Sequence, residues 1–424
     1  MKQNIIFTVI MMLFLVLSLP EHAFAAGARD SGVTTLTIAG RDGAFGEAMR
    51  LATEEYTRRN PNVRFEVLAL SGGELMEQTV IELRAGNGAF DVVLIDDPFL
   101  PRLQEAGWLV DLGSIYQSRG IQIDPDLVPN MVNIGRFPYP NGTLYALPHV
   151  GNVALFAYRR DVVERFGMDG LRRWDDVLSV ARQVAEAEPE MTPVLFRGVQ
   201  GNPIVTGFLP IFWAFGADVL VNGQPAFNSP EALNAVEFFL ELAQFAPEGV
   251  TAYQSAQVRD AIYSGAGAMA IEVWPGWIGD LENPAVSEVV GRVQIAAHPG
   301  QVNPSSSMIG AWMVGIPRNS QKVDAAFDFL QFLTSAEIQE LMADQAGLPP
   351  TRTSVHQIPR LQERFPWYPA QLEGQRGGSV RPRTDRWAQI EAVLGEFLQR
   401  ALVGELSAAD ALAQVQRRAE EIMR

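Results

Sequence analysis

The sequence predicts an α/β protein organised in two lobes, and three observations carry that expectation. Strand and helix patterns alternate from Thr34 to Ile95, with β-branched residues in the strand positions. The chain has 424 residues, more than one ordinary hydrophobic core organises. It contains no cysteine, so packed cores rather than disulfides must hold it together.

The first element is an export signal. Lys2 supplies a charged start, Ile5 to Leu17 is an unbroken apolar run, and Ala23 to Ala26 offers small residues for cleavage after Ala25. Pro20, Glu21 and His22 end the run short of the roughly 18 apolar residues of a membrane-spanning helix. Residues 1–25 are therefore expected to be removed, leaving a soluble exported chain.

After the signal, Thr34 to Ala39 reads as a strand running into the loop Gly40 to Gly46. Phe45, Met49, Ala52 and Tyr56 share one helical face, and Asn60-Pro61 stops that helix. Val63 to Ala69 alternates as a half-buried strand; Ser71-Gly72-Gly73 turns into a helix over 74–85, and Asp91 to Ile95 is a buried strand. In such sheets ligands sit beyond the carboxyl ends of the strands. Those ends are Gly40-Arg41-Asp42, Ser71-Gly72-Gly73 and Asp96-Asp97.

From residue 148 the chain becomes more helical. Val153 to Arg159 is a strand, and Trp174, Val177, Val180, Ala181 and Val184 share a helical face. Ser229 and Pro230 form a helix start, and Thr334 with Glu337 has capping-box spacing. Val293 to Ala297 and Trp312 to Pro317 read as strands, and Ser407 with Asp410 opens the last helix.

Composition and motifs exclude several function classes. A formal charge of −16 repels nucleic acid and anionic lipid. Once His22 leaves with the signal, His149, His298 and His356 remain, none in a zinc motif, so no metal or cofactor is expected. There is no G-x-S-x-G elbow for a serine nucleophile. Asp96 and Asp97 are adjacent on a strand, where side chains point to opposite faces, so they are a poor catalytic pair. These features describe a binder rather than an enzyme.

A set of loose motifs then falls in a characteristic order. It comprises "GNGAFDVVLIDD", "LQEAGWLVDL", "GTLYALPHVGNVALFAYRRDVVERFG", "RRWDDVLSVARQV" and "SGAGAMAIEVWPGW", followed by "GAWMVGIPRNS", "AGLPPTRTSV" and "LVGELSAADALAQV". The chain resembles, over nearly its whole mature length, the extracellular solute-binding proteins of bacterial ABC importers, the maltose-binding-protein-like carbohydrate group. That resemblance implies a two-lobed periplasmic-binding-protein fold, each lobe a mainly parallel sheet flanked by helices. Residues 33–147 and 298–346 would form one lobe, and 148–297 and 347–424 the other. Three crossings, near Ala146–Asn152, Ala296–Gly300 and Gln345–Pro350, would flank a ligand cleft. It further implies a monomeric periplasmic receptor that hands a sugar to membrane ABC permease subunits; a polyamine or other small solute is the alternative, and a secreted carbohydrate-active enzyme a more distant one.

The candidate ligand contacts follow from strand ends and from that resemblance. Arg41, Asp42, Gly73, Asp96 and Asp97 lie at the mouths of the first strands, with one of the two aspartates expected to cap the next helix. In "IEVWPGW" the Pro275-Gly276 turn can aim an indole outward, which favours Trp274 as a sugar platform and leaves Trp277 open between ligand and core. Glu272 could bond a hydroxyl or form an ion pair. Trp312 takes a cleft-facing position by resemblance, with burial as its alternative. Trp213 reads as core first and ligand contact second, and Arg352 and Arg383 could reach the cleft from the last crossing and the tail.

Overall fold

The computed structural model describes residues 32–304 and 307–424; the export signal falls outside the described residues. Two larger sheets draw on nine strands: β1 (Thr34–Arg41), β2 (Val63–Leu70), β3 (Val92–Asp96), β4 (Ala146–Val150), β5 (Leu155–Arg159), β6 (Thr192–Leu195), β7 (Gly267–Val273), β8 (Val293–Ala296) and β9 (Trp312–Gly315). The first sheet has the order β2-β1-β3-β9-β4 and the second β8-β5-β7-β6.

Parallel pairing holds for β1 with β2 and β3, where helical crossovers separate the strands. The sheets as wholes are mixed, not mainly parallel. β9 runs antiparallel to β3 and β4, because the chain re-enters the first sheet from the second. In the second sheet β5 is antiparallel to both β7 and β8, and only β7 with β6 is parallel.

Helices α1 (Gly43–Arg59) and α2 (Gly72–Ala85) flank the first sheet. Around the second lie α3 (Trp174–Ala187), α4 (Asn202–Ala214) and α5 (Pro230–Ala243). One helical turn, α6 (Pro275–Ile278), follows β7. The chain ends with α7 (Ala336–Ala346), α8 (Tyr368–Gly377), α9 (Trp387–Leu402) and α10 (Ala408–Met423). Ser229 and Ser407 cap α5 and α10 through 3.1 Å bonds from Ala232 N–H and Asp410 N–H. The cap of α7 is Ser335, not Thr334, whose hydroxyl turns back to the Leu330 carbonyl at 2.9 Å.

Strand alternation divides the interior. Leu155 and Ala157 of β5 face a core that includes the first sheet, whereas Phe156 and Tyr158 face a second core with α3, α4 and α5. The tail is divided likewise. Residues 347–424, assigned by sequence to the second lobe, split: Val355, Leu361, Phe365 and Tyr368 join the first core, while α9 and α10 pack into the second. Arg352 helps hold the former against Asp124 and Asp126.

The first and third crossings lie side by side, and the segment at Gly310 joins the first. Gly151 N–H donates to the Pro349 carbonyl at 2.8 Å, and Gly310 N–H to the Asn152 carbonyl at 3.0 Å. Gln375 Nε2 reaches the carbonyls of Gly151 and Pro350, both at 2.8 Å. Thr34–Arg424 thereby forms one compact unit.

Candidate functional site

The first wall is built at the carboxyl ends of β1 and β3. β1 delivers Arg41, and α1 begins two residues later, which brings Phe45 back over it. The Arg41 guanidinium carbon lies 4.5 Å from the Phe45 ring centre and 4.8 Å from that of Trp312. Phe45 and Trp312 meet edge to face with centroids 5.3 Å apart. The guanidinium has no hydrogen-bond partner among the described residues and rests against the two rings. Burial holds its pKa below the ordinary arginine value, with Asp96 and Asp42 acting in the opposite direction. Gly72 lies against this group: a Cβ there would sit 3.6 Å from Trp312 Cη2 and 3.6 Å from Arg41 Nε. Gly73 is exposed with open space beside it, and Asp42 is exposed at the start of α1.

The second wall is built at the end of β7. Pro275 occupies the first position of α6, where its missing N–H costs nothing, and Trp277 N–H closes the turn onto the Trp274 carbonyl at 2.8 Å. The turn expected at Pro275-Gly276 is thus one turn of helix. Trp274 and Trp277 remain half-buried. The indole of Trp274 donates to Glu272 Oε1 at 2.6 Å, and its six-membered ring rests on Gly310. A Cβ at Gly310 would come within 2.6 Å of two carbons of that ring, so glycine is what admits it. Trp274 therefore touches the segment 310–312 at one end, and Trp312 of the first wall stands at the other.

Several sequence candidates are committed elsewhere. Asp97 is fully buried and paired with Arg381, while Arg383 donates to its backbone carbonyl at 2.7 Å. Asp96 also accepts from Arg381, through Oδ1 at 2.8 Å, so both aspartates carry a guanidinium partner. Glu272 has no exposed surface and accepts from Arg197 through both oxygens, at 2.6 and 3.0 Å. Arg352, expected near the ligand, is buried against Asp124, Asp126 and the Thr334 carbonyl. Its length lets it pin the chain just after the last crossing to these three partners. Arg383 likewise ends on the carbonyls of Asp97 and Ile134. Trp213 is 7% exposed inside the second core, as its apolar helix led one to expect.

Two arginines were missed. Arg197 follows the apolar strand β6, and a charge placed directly after a buried strand was the available signal. Arg381 lies in an irregular stretch with no periodicity to mark it. Trp277 also borders an open cavity of about 500 Å³ with Arg259, Tyr263 and Asp280. No residue of the first wall lines that cavity, so it is a feature of one side only. Among the described residues no cluster of three or more His, Asp or Glu side chains could hold a metal ion, and no helix is long and apolar enough to cross a membrane.

Comparison with known proteins agrees with this architecture. A probable amino-acid ABC transporter periplasmic-binding protein of Sinorhizobium fredii is 26% identical over 405 residues, 93% of this chain and 90% of that protein. A mannitol-binding protein of Pseudomonas aeruginosa is 24% identical over 412 residues, 91% of this chain and 92% of its own. Maltose-bound MalE3 of T. maritima superposes with a TM-score of 0.79 at 26% identity, covering 92% of this chain and all of that one. Residues 42–340 match the profile of one family, and the chain belongs to it: the bacterial extracellular solute-binding proteins.

Proposed function

We propose that the protein is a receptor for a sugar or polyol, held between the two walls and delivered to an ABC permease. The observation that carries this reading is the half-buried Arg41 guanidinium, set on Phe45 and the buried Trp312, on one wall and the half-buried indole of Trp274 on the other, both beside the segment 310–312. A sugar presents an apolar C–H face to an indole and a fringe of hydroxyls to a guanidinium. The mannitol-binding relative and the maltose-bound neighbour favour the same ligand class. A polyamine needs unpaired carboxylates, and Asp96, Asp97 and Glu272 all carry guanidinium partners. A glycoside-cleaving enzyme needs two carboxyl groups facing one bond, and the same pairing argues against it.

The family places the chain outside the cytoplasm. We propose further that the mature receptor begins at Ala26 and works as a soluble periplasmic monomer. A thermal-shift screen of the mature protein against maltose, mannitol, ribitol, amino acids and polyamines tests the reading. A ligand at about 100 times its dissociation constant adds roughly 2.7 kcal/mol of apparent stability. The reading predicts that shift for a sugar or polyol; a shift confined to amino acids or polyamines refutes it.

A further inference from the structure

Glu272 is a carboxylate with no solvent exposure, placed at the end of β7 two residues before Trp274. Its oxygens are fully engaged. Oε2 accepts from Arg197 Nε at 3.0 Å, and Oε1 accepts both from Arg197 Nη2 and from Trp274 Nε1, each at 2.6 Å. Helix α4 closes the arrangement from behind. Thr206 accepts from Arg197 Nη2, and a Cβ at Gly207 would lie 3.6 Å from Glu272 Oε2. A buried ion pair of this kind yields little net stability, because desolvating both charges offsets their attraction. What it does fix is orientation. The fork-to-fork geometry leaves Arg197 one plane, and in that plane its guanidinium carbon lies 5.0 Å from the Trp277 ring centre. One carboxylate thus governs Trp274 directly and Trp277 through Arg197.

Arg197 itself retains free capacity. Nε and Nη2 are used, whereas Nη1 has no hydrogen-bond partner among the described residues, and the side chain is 11% exposed. We propose that Arg197 is a specificity-determining contact of the second wall, donating from Nη1 to ligand hydroxyls beside the two indoles, and that Glu272 is the positioning residue that holds it there. Glu272 acts only through its neighbours and does not touch ligand. This assignment rests on the sugar-or-polyol reading for its ligand, but the relay from Glu272 to both tryptophans stands without any ligand.

The test uses the mature protein labelled with 5-fluorotryptophan, together with Glu272→Gln, Arg197→Lys and the double variant. In ligand-free fluorine spectra, Glu272→Gln should move the resonances of Trp274 and Trp277, each assigned by its Trp→Phe variant. The other six of the chain's eight tryptophans should stay in place. A general loosening would move all eight, and an unmoved Trp277 signal would break the relay; either result overturns the proposal. Calorimetric titration with maltose, mannitol and ribitol then reads the contact. Each single variant should lose at least tenfold in affinity, and the double variant should fall within about threefold of the weaker single. Wild-type affinity in Arg197→Lys, or losses that multiply in the double variant, would overturn the assignment. If none of the three probes binds the wild type, the sugar reading fails, and the fluorine spectra still decide the relay.

Discussion

His149 offers a stability experiment whose size can be worked from the structure. It lies on β4 where pairing with β9 shifts register: Val150 opposes Trp312 and Pro148 opposes Met313, so His149 is the extra residue of a bulge. The side chain is 2% exposed, and neither ring nitrogen has a hydrogen-bond partner among the described residues. Burial alone pushes its pKa down to about 4 from an ordinary value of 6.5. A depressed imidazole contributes stability that is complete above pH 6.5 and is lost as pH falls toward 4, because the unfolded chain takes up the proton first. At pH 5, about 1.5 units below the unfolded value, the loss is about 2 kcal/mol at ~1.36 kcal/mol per unit. In His149→Leu no hydrogen bond of the ring is forfeited, so the variant should be at least as stable as wild type at pH 7. Urea melts at pH 7 and pH 5 measure both quantities. Wild type should lose about 2 kcal/mol more than the variant over that interval, and parallel losses would refute the argument. Taking the difference between the two proteins cancels every other titrating group.

Three further outcomes follow from the geometry. Gly310→Ala puts a Cβ 2.6 Å from the Trp274 ring, so the ring must move, and affinity should fall about tenfold, or ~1.4 kcal/mol, by calorimetry. Arg352→Met breaks charged hydrogen bonds to Asp124 and Asp126 and should cost about 2 kcal/mol in chemical denaturation while leaving ligand affinity unchanged. His298 is also held near 4, chiefly by burial, so His298→Gln should flatten the acid limb of the melting curve between pH 6.5 and 4 as His149→Leu does.

The elements that periodicity and capping mark were legible in the sequence. β1 to β3, α1, α5 and α10 fall where apolar spacing and the serine caps put them. Strand direction was not legible for β9 and β5, because a short apolar run reads the same in either sense and only the returning chain decides. The site was half legible. Aromatics in turns announce themselves, and Trp274 and Trp312 do converge on one segment. Charged residues do not reveal their partners. Asp97, Glu272 and Arg352 look like ligand contacts in one dimension, but guanidinium groups or carboxylates more than 70 residues away claim them. Arg197, which the sequence passed over, becomes significant only once β6 and β7 lie side by side.

The claim that one ligand touches both walls is tested most directly by titrating the bound sugar or polyol into Arg41→Leu and Trp274→Ala. The Arg41 side chain makes no hydrogen bond among the described residues, and Trp274 is half-buried, so both variants should fold. The account predicts that each loses at least tenfold in affinity, since the guanidinium belongs to the first wall and the indole to the second. Wild-type affinity in either variant would contradict a ligand held between them.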